Sequence, residues 1–241
     1  MPVHATQTLS VLGDTLRSFL RVGCVLGWMP SDLSGDVPRV RVRPDAKIPA
    51  VWSENDIASL LGAVETTTPM GKRDLSILLL ACRLGMRAGD IRALQLDDLK
   101  CPTARVAFAQ KKTGDTVELP MSDEIAAALI DYLRNGRPAS SHRTVFLRSR
   151  APFEPFGPDD NLHGIVTRYR RRAGIALAPA SRCGLHSLRH TLAARLLTHG
   201  VGLETIGAVL GHRSQDTTRI YTKVDLEGLR SAALELPEVM S

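Results

Sequence analysis

The fold of this chain is decided by the stretch HSLRHTLAARLLTHGVGLETIGAVLGHRSQDTTRIYTKV, residues His186–Val224. Apolar residues at helical spacing predict a helix that ends at Gly200 and a second helix, LETIGAVLGH, after it. A polar run then leads to Tyr221, which is one of only three tyrosines in the chain. Taken alone, Tyr221 is more simply explained as the anchor of a short helix, QDTTRIYTKV, than as a nucleophile.

Bulk composition bounds the class of protein. The chain has 241 residues, of which 44% are hydrophobic, so it suits one or two globular domains. Its 31 Lys and Arg exceed its 25 Asp and Glu, and a pI of about 9.5 favours an acidic partner, with nucleic acid ahead of a membrane surface. The cysteines are scattered without a C-x-x-C pair, and no apolar stretch could span a bilayer. We therefore expect a reduced, cytoplasmic protein.

The hydropathy pattern is mostly helical with one small sheet. An amphipathic helix is predicted over residues 8–28, followed by a basic segment that contains two prolines. The runs ARVAFAQ and DTVELP flank KKTG, which predicts an antiparallel hairpin with Gly114 in its turn. The other predicted helices are SENDIASLLGAV, KRDLSILLLACRLG, AGDIRALQLDDL, SDEIAAALIDYLRNG, NLHGIVTRYRRRAG and DLEGLRSAALEL, and TVFL is a predicted short strand.

Two histidines raise the possibility of a metal site. His186 and His190 lie one helical turn apart, as in the zinc-binding H-E-x-x-H motif. Ser187 occupies the position of the glutamate, however, and no third ligand is evident. We therefore predict no metal and no other cofactor.

Two further groups of charged residues allow two interpretations each. Arg87 precedes Asp90 by three residues. The two could form a surface ion pair, or Arg87 could point into the interior and be held there by Asp90. Lys111 and Lys112 at the hairpin turn are either solvated charge or groups that reach a bound phosphate.

The order Arg, Lys, His-x-x-Arg, Gly-His and Tyr resembles the catalytic domain of the tyrosine recombinases, the phage-integrase and Xer-like family. RLGMRAGDIRALQLDDL resembles the family's first arginine box, and His186–Val224 resembles its second box nearly end to end. The resemblance runs from about Val51 to Val224 and implies a mainly α fold with a small antiparallel sheet. It also implies that residues 1–36 are the last helix of a core-binding domain, 37–50 a basic linker and 51–241 the catalytic domain.

The resemblance assigns the covalent step to Tyr221. Its phenol would attack the scissile phosphate of double-stranded DNA and form a 3′-phosphotyrosyl bond. Lys112, with Lys111 as the alternative, would protonate the departing 5′ oxygen. A phenol has a pKa of about 10 and needs a base or cations nearby to act as a nucleophile at neutral pH.

The same resemblance assigns phosphate binding to two arginines and two histidines. Arg87 and Arg189 would bind the non-bridging oxygens, which suits planar guanidinium groups because charge accumulates there during attack. His186 and His212 would position the phosphate, with His186 also assisting proton transfer at the phenol. Asp90 would orient Arg87.

Most further DNA contacts should be to phosphates, and arginines are the candidates. The arginine-rich helix could instead present a solvated surface with no bound partner. The predicted contacts are Arg39, Arg41 and Arg43 in the linker and Arg168, Arg170, Arg171 and Arg172 in the helix.

Only about one helix precedes the linker, whereas the family carries a complete helical core-binding domain there. The chain would therefore be either a recombinase or integrase, possibly from a mobile element, or a shortened, non-catalytic DNA-binding protein that modulates a full-length partner. A relaxing enzyme that resembles type IB topoisomerases is a third possibility. The apolar stripe of the tail, residues 225–236, predicts self-association on DNA, and we expect association with the nucleoid and not with a membrane.

Overall fold

The structure is a computed structural model that describes residues 3–40, 51–111, 114–176 and 184–211, with side chains from residue 8 onward. The chain divides into two compact units, Met1–Ile48 and Pro49–Ser241. The predicted helices QDTTRIYTKV and DLEGLRSAALEL lie outside the described residues. No helix in the described ranges is both long and apolar enough to cross a membrane.

The first unit holds one long helix and a short turn. Helix α1 spans Val3–Val25, so it begins earlier and ends earlier than the predicted helix over residues 8–28. A 3-10 turn follows at Leu33–Asp36, and the Asp32 side chain caps it by accepting a hydrogen bond from the Ser34 amide at 2.8 Å. Large apolar residues of α1, such as Phe19, are exposed. The assignment of this unit to a core-binding domain stays a prediction, as does the linker.

The described part of the second unit is mainly helical around one three-stranded sheet. The helices are α2 Glu54–Gly62, α3 Pro69–Arg83, α4 Ala88–Ala93, α5 Asp123–Asn135, α6 His163–Arg172, α7 Leu185–Thr198 and α8 Leu203–Leu210. The strands are β1 Leu99–Lys100, β2 Arg105–Ala109 and β3 Thr116–Pro120, all antiparallel. The predicted fold class, mainly α with a small antiparallel sheet, is therefore confirmed.

Helix α3 is the centre of the core. Pro69 suits its first turn because proline lacks the amide that a helix start leaves unpaired, and the Thr68 hydroxyl accepts from the Gly71 amide at 3.0 Å. The consecutive residues Ile77–Ala81 are all buried, so α3 is covered on every side, chiefly by α5 and α7. Cys82 is buried as predicted.

The hairpin β2–β3 has the predicted turn. Val106 pairs with Leu119 and Ala109 with Thr116, and the Gly114 amide donates to the Gln110 carbonyl at 2.8 Å. Gly114 has φ of +77°, a conformation that costs glycine little because it has no Cβ.

Two predicted elements of the second unit also differ from the structure. The helix expected in AGDIRALQLDDL ends at Ala93 and is replaced by a 3-10 turn, Leu96–Asp98, because the Asp98 carboxylate accepts from the Gln95 amide at 2.8 Å and competes with helix continuation. The TVFL segment forms only isolated bridges, Gln95 with Thr144 and Leu147 with Pro155. Its neighbours are loops, which offer no continuous ladder of partners.

Helix α7 is attached to the start of the second unit. The Trp52 amide donates to the Thr191 hydroxyl and its indole N–H donates to the Ser187 hydroxyl, each at 3.0 Å. Trp52 is almost fully buried, so both of its donors need such partners. These contacts determine the position of the helix that carries His186 and Arg189.

Candidate active site

Arg87 is the residue immediately before α4, at its N-cap position, and it contacts two other segments. Its Nη1 donates to Gln110 Oε1 at 2.8 Å and its Nη2 donates to the Gly211 carbonyl at 3.0 Å. The side chain is 20% exposed, so the guanidinium lies at the boundary between core and solvent. Arg87 is therefore partly buried, and its hydrogen bonds go to Gln110 and Gly211, whereas Asp90 lies only within ion-pair distance.

Arg189 lies on α7 and is buried, with 2% of its surface exposed. Its Nη1 donates to the Gly85 carbonyl at 2.5 Å, and its Nη2 donates to the Leu210 carbonyl. These carbonyls lie at the C-terminal ends of α3 and α8, where the helix dipole is negative. The dipoles stabilise the positive charge and allow two arginines to share this region.

Two glycines permit this close packing. A Cβ on Gly85, which has φ of +63°, would lie 2.7 Å from Leu210 Cδ2. A Cβ on Gly211, which has φ of +60°, would lie 2.1 Å from Gln110 Nε2. Both positions therefore need glycine for conformation and for space.

Asp90 connects Arg87 with the hairpin turn. Its Oδ1 accepts a hydrogen bond from the Lys111 amide at 2.9 Å, whereas its Oδ2 lies 3.9 Å from Arg87 Nη1. Oδ2 is buried and has no hydrogen-bond partner within the described ranges. The carboxylate thus holds the turn by a hydrogen bond and faces Arg87 through charge. That it orients Arg87 remains a prediction.

Gln110 is a site residue that the sequence analysis missed. It is 3% exposed and directly follows β2, where it continues the alternation set by the buried residues Val106 and Phe108. A polar residue in phase with buried apolar residues is an unusual signal, and it could have indicated a specific partner.

The two histidines of α7 lie against each other. The rings of His186 and His190 are 4.2 Å apart between centroids in an edge-on arrangement, and His186 is exposed. The described part of the chain holds no group of three or more His, Cys, Asp or Glu placed to bind a metal ion.

Three of the predicted site residues, Lys112, His212 and Tyr221, lie outside the described residues. Lys111 is exposed at the hairpin turn, and Gly211 precedes His212 in the chain. The structure therefore brings together Arg87, Asp90, Arg189 and the Lys111 backbone, and their roles in a reaction stay predictions.

The arginines predicted to bind DNA differ in their surroundings. Arg168 contacts the buried carboxylate of Asp74 at 2.9 Å, and Arg172 contacts Glu65 at 3.2 Å. Arg170 Nη1 donates to the Ile175 carbonyl at 3.0 Å, whereas Arg171 is exposed. Of these four, Arg171 is the most available to a ligand. In the first unit Arg39 is exposed, and Arg41 and Arg43 lie outside the described residues.

Asp74 holds a charged cluster beneath α6. Its Oδ1 accepts from Arg73 Nε at 2.9 Å, and its Oδ2 accepts from the Tyr169 hydroxyl at 3.1 Å in addition to Arg168. Burial raises the pKa of Tyr169, and the adjacent negative charge of Asp74 raises that pKa further. The position of Arg168 is therefore explained by its contact with Asp74, which also binds Tyr169 of the same helix.

The charges and hydrogen-bond donors around Arg87 and Arg189 indicate what kind of ligand the site can bind. Among the described residues, Arg87, Arg189 and the turn that carries Lys111 bring positive charge and N–H donors together, and Asp90 is the carboxylate that lies with them. Such an arrangement suits a phosphate or another oxyanion.

The chain is similar in sequence to known integrases and recombinases. Residues 51–227 match the phage integrase family. The chain is 38% identical over 227 residues to the putative integrase/recombinase y4rA of Sinorhizobium fredii, covering 94% of this chain and 54% of that protein. It is 37% identical over 191 residues to y4gC of the same organism, covering 79% of this chain and 97% of that protein. The chain thus spans about half the length of y4rA and nearly all of y4gC.

Solved structures share the fold. The crystal structure of XerA recombinase has a TM-score of 0.64 and 23% identity, covering 82% of this chain and 69% of that chain. A lambda integrase (75–356) dimer bound to a COC′ core site has a TM-score of 0.65 and 16% identity, covering 96% of this chain and 76% of that chain.

Proposed function

The chain belongs to the phage integrase family of tyrosine recombinases, and from this premise we propose that it cuts and rejoins DNA at a specific site through a 3′-phosphotyrosyl intermediate. One observation carries the proposal. Arg87 and Arg189, from distant parts of the chain, converge on consecutive carbonyls, those of Gly211 and Leu210, immediately before His212. That convergence supports a single phosphate site beside the segment that leads to Tyr221.

The proposed reaction is a transesterification at phosphorus. The Tyr221 oxygen forms a bond to phosphorus while the bond to the 5′ oxygen breaks, and rejoining reverses these changes. His186 helps remove the phenol proton, and Lys112 donates a proton to the 5′ oxygen. Arg87, Arg189 and His212 stabilise the charge on the non-bridging oxygens. The phosphodiester energy is conserved in the covalent intermediate, so rejoining needs no ATP.

The larger context is also part of the proposal. The first unit contributes part of a core-binding domain, the basic linker contacts phosphates, and residues 225–241 mediate self-association on DNA. An origin in a mobile element is also part of the proposal, for a chain whose relatives include two named putative integrase/recombinase. Deleting residues 225–241 should abolish DNA-dependent assembly, as measured by analytical ultracentrifugation with and without DNA.

Trapping of the covalent intermediate tests the reaction. A nicked duplex releases a short fragment after cleavage, so the protein cannot rejoin the strand and remains attached. We would incubate the protein with nicked duplexes that carry a randomised segment, denature the mixture and recover DNA that stays bound to protein. The wild type should yield adducts enriched in one sequence, and Tyr221→Phe should yield none. Adducts that persist in Tyr221→Phe would remove Tyr221 as the nucleophile.

A second candidate is a non-catalytic DNA-binding protein that modulates a full-length recombinase. The burial of Arg189 favours it, because a guanidinium engaged by the Gly85 and Leu210 carbonyls must exchange these partners to bind a phosphate. The same trapping experiment separates the two candidates. DNA binding with no adduct from the wild type would favour the second.

A further inference from the structure

We propose that Gln110 is a positioning residue that holds Arg87 in register with the end of α8 while leaving its charge available to a phosphate. This inference rests on the proposed function, because it assumes that Arg87 binds the scissile phosphate. It adds a residue to which the family resemblance gave no role.

Burial makes the contacts of Gln110 necessary. The residue is 3% exposed, and a buried amide is costly unless its oxygen and nitrogen both find partners. Its Oε1 accepts from Arg87 Nη1 at 2.8 Å, and its Nε2 donates to the Leu210 carbonyl at 3.4 Å. A guanidinium can only donate and a carbonyl can only accept, so these partners determine the orientation of the amide.

One side chain thereby connects two segments of the site. Arg87 at the start of α4 and Leu210 at the end of α8 both contact Gln110, and Arg189 also donates to the Leu210 carbonyl. The close fit of Gln110 against Gly211 leaves no room for a Cβ there. A shift of the Gln110 amide therefore moves Arg87 relative to the chain that continues to His212.

The backbone of Gln110 adds a third connection. Its amide donates to the Asp115 carbonyl at 2.9 Å, and its carbonyl accepts from the Gly114 amide at 2.8 Å, so that Gln110 closes the hairpin turn at which Lys111 lies. Gln110 thus connects Arg87, the hairpin turn at Lys111 and the end of α8.

A neutral amide suits this position better than a carboxylate. An amide oxygen orients the guanidinium by one hydrogen bond and leaves the net positive charge in place. A carboxylate would form an ion pair with Arg87 and compete with the phosphate. It would also face the Leu210 carbonyl without a proton to donate.

Three variants test this role. Gln110→Met keeps a similar length and volume but removes both hydrogen bonds, and Gln110→Glu keeps the shape and adds charge. The matched control is Gln95→Met, since Gln95 is a partly buried glutamine in the same unit whose Nε2 donates to the Ala93 carbonyl at 2.7 Å. The substrate is the nicked duplex recovered by adduct selection, at saturating protein.

The measured quantity is the first-order rate of adduct formation. Gln110→Met should slow it by about 10- to 100-fold, as expected for displacement of a charge-stabilising group by a fraction of an ångström to 1 Å. Gln110→Glu should slow it further, and Gln95→Met should leave it unchanged. DNA affinity should stay within a few-fold of the wild type in all three variants.

A second substrate distinguishes positioning from general structural damage. A methylphosphonate at the scissile position replaces one charged non-bridging oxygen with a methyl group and so reduces the need for Arg87. The defects of Gln110→Met and Arg87→Ala should both shrink on this substrate. Equal slowing of Gln110→Met on both substrates would mean a structural role and would overturn the inference.

The remaining outcomes are also informative. If Gln110→Met forms the adduct at the wild-type rate while Arg87→Ala forms it slowly, the inference is refuted and the proposed function is left intact. No adduct from the wild type refutes both. If Gln110→Met proves unfolded by circular dichroism, Gln110→Glu carries the test, and an unchanged rate in that variant refutes the role of Gln110.

Discussion

Arg87 and Arg189 donate hydrogen bonds to consecutive backbone carbonyls, those of Gly211 and Leu210, at the C-terminal end of α8. The two arginines come from different helices and are far apart in the sequence. The negative end of the α8 dipole offsets their mutual repulsion and holds both guanidinium groups beside the chain that continues to His212.

Removing the guanidinium of Arg87 should reduce cleavage more than DNA binding. Arg87→Ala should slow adduct formation by about 10²- to 10³-fold, as for the loss of one preorganised donor to a charged transition state. Arg87→Lys should recover only part of that loss, because an ammonium lacks the planar fork. The control is Arg83→Ala, which removes an exposed ion pair with Glu124 at 3.0 Å. A similar loss in both alanine variants would contradict the role of Arg87.

Gly211 should tolerate no side chain. Gly211→Ala places a Cβ 2.1 Å from Gln110 Nε2, whereas Gly200→Ala, also at positive φ, meets no atom within 4 Å. Both variants share the backbone strain, so Gly211→Ala should destabilise the fold by about 1–3 kcal/mol more than Gly200→Ala through overpacking. Urea unfolding measures both, and equal free energies of unfolding would show that Gln110 does not pack as described.

The Asp74 cluster should be important for stability. Asp74→Asn removes a fully buried carboxylate that pairs with Arg73 and Arg168. Breaking a buried pair from one side typically costs about 3–5 kcal/mol, because the remaining charge loses its compensation. The comparison is Arg172→Ala, which breaks an exposed pair with Glu65 and should cost about 0–1 kcal/mol. Denaturant titration of the two variants checks the difference in unfolding free energy.

The α6 arginines should separate into DNA contacts and structural residues. Arg171 is exposed, so Arg171→Ala should weaken DNA binding and reduce the slope of log affinity against log salt by about 1. Arg168→Ala should lower stability, because Arg168 contacts Asp74. Fluorescence anisotropy at several salt concentrations gives the slopes. An unchanged slope in Arg171→Ala would place the DNA elsewhere.

Cys82 should resist alkylation in the folded protein. Burial raises the pKa of its thiol to about 12, so the reactive thiolate is scarce at neutral pH, and reagents also lack access. Cys101 is exposed and should react rapidly. Iodoacetamide labelling followed by peptide mass spectrometry compares the two sites, and labelling of Cys82 should rise only when denaturant unfolds the second unit. Rapid labelling of Cys82 in buffer would mean that α3 is not packed as described.

Much of the local structure could be predicted from the sequence. The hairpin with Gly114 in its turn and the buried run of α3 depend on near neighbours and on hydrophobic periodicity. Helix α4 ended earlier than predicted because the Asp98 side chain bonds the Gln95 amide, a local competition that apolar spacing does not reveal.

The sequence by itself determined the family, the helical class and the residue types suited to binding a phosphate, because order and spacing along the chain carry that information. Only the tertiary structure decided which of those residues meet. Gln110 contacts Arg87, and Arg168 forms an ion pair with Asp74. Arg189 is buried and donates hydrogen bonds to the Gly85 and Leu210 carbonyls. Each of these outcomes depends on contacts between segments remote in the sequence. Such contacts follow from how the helices pack, and no local pattern encodes them.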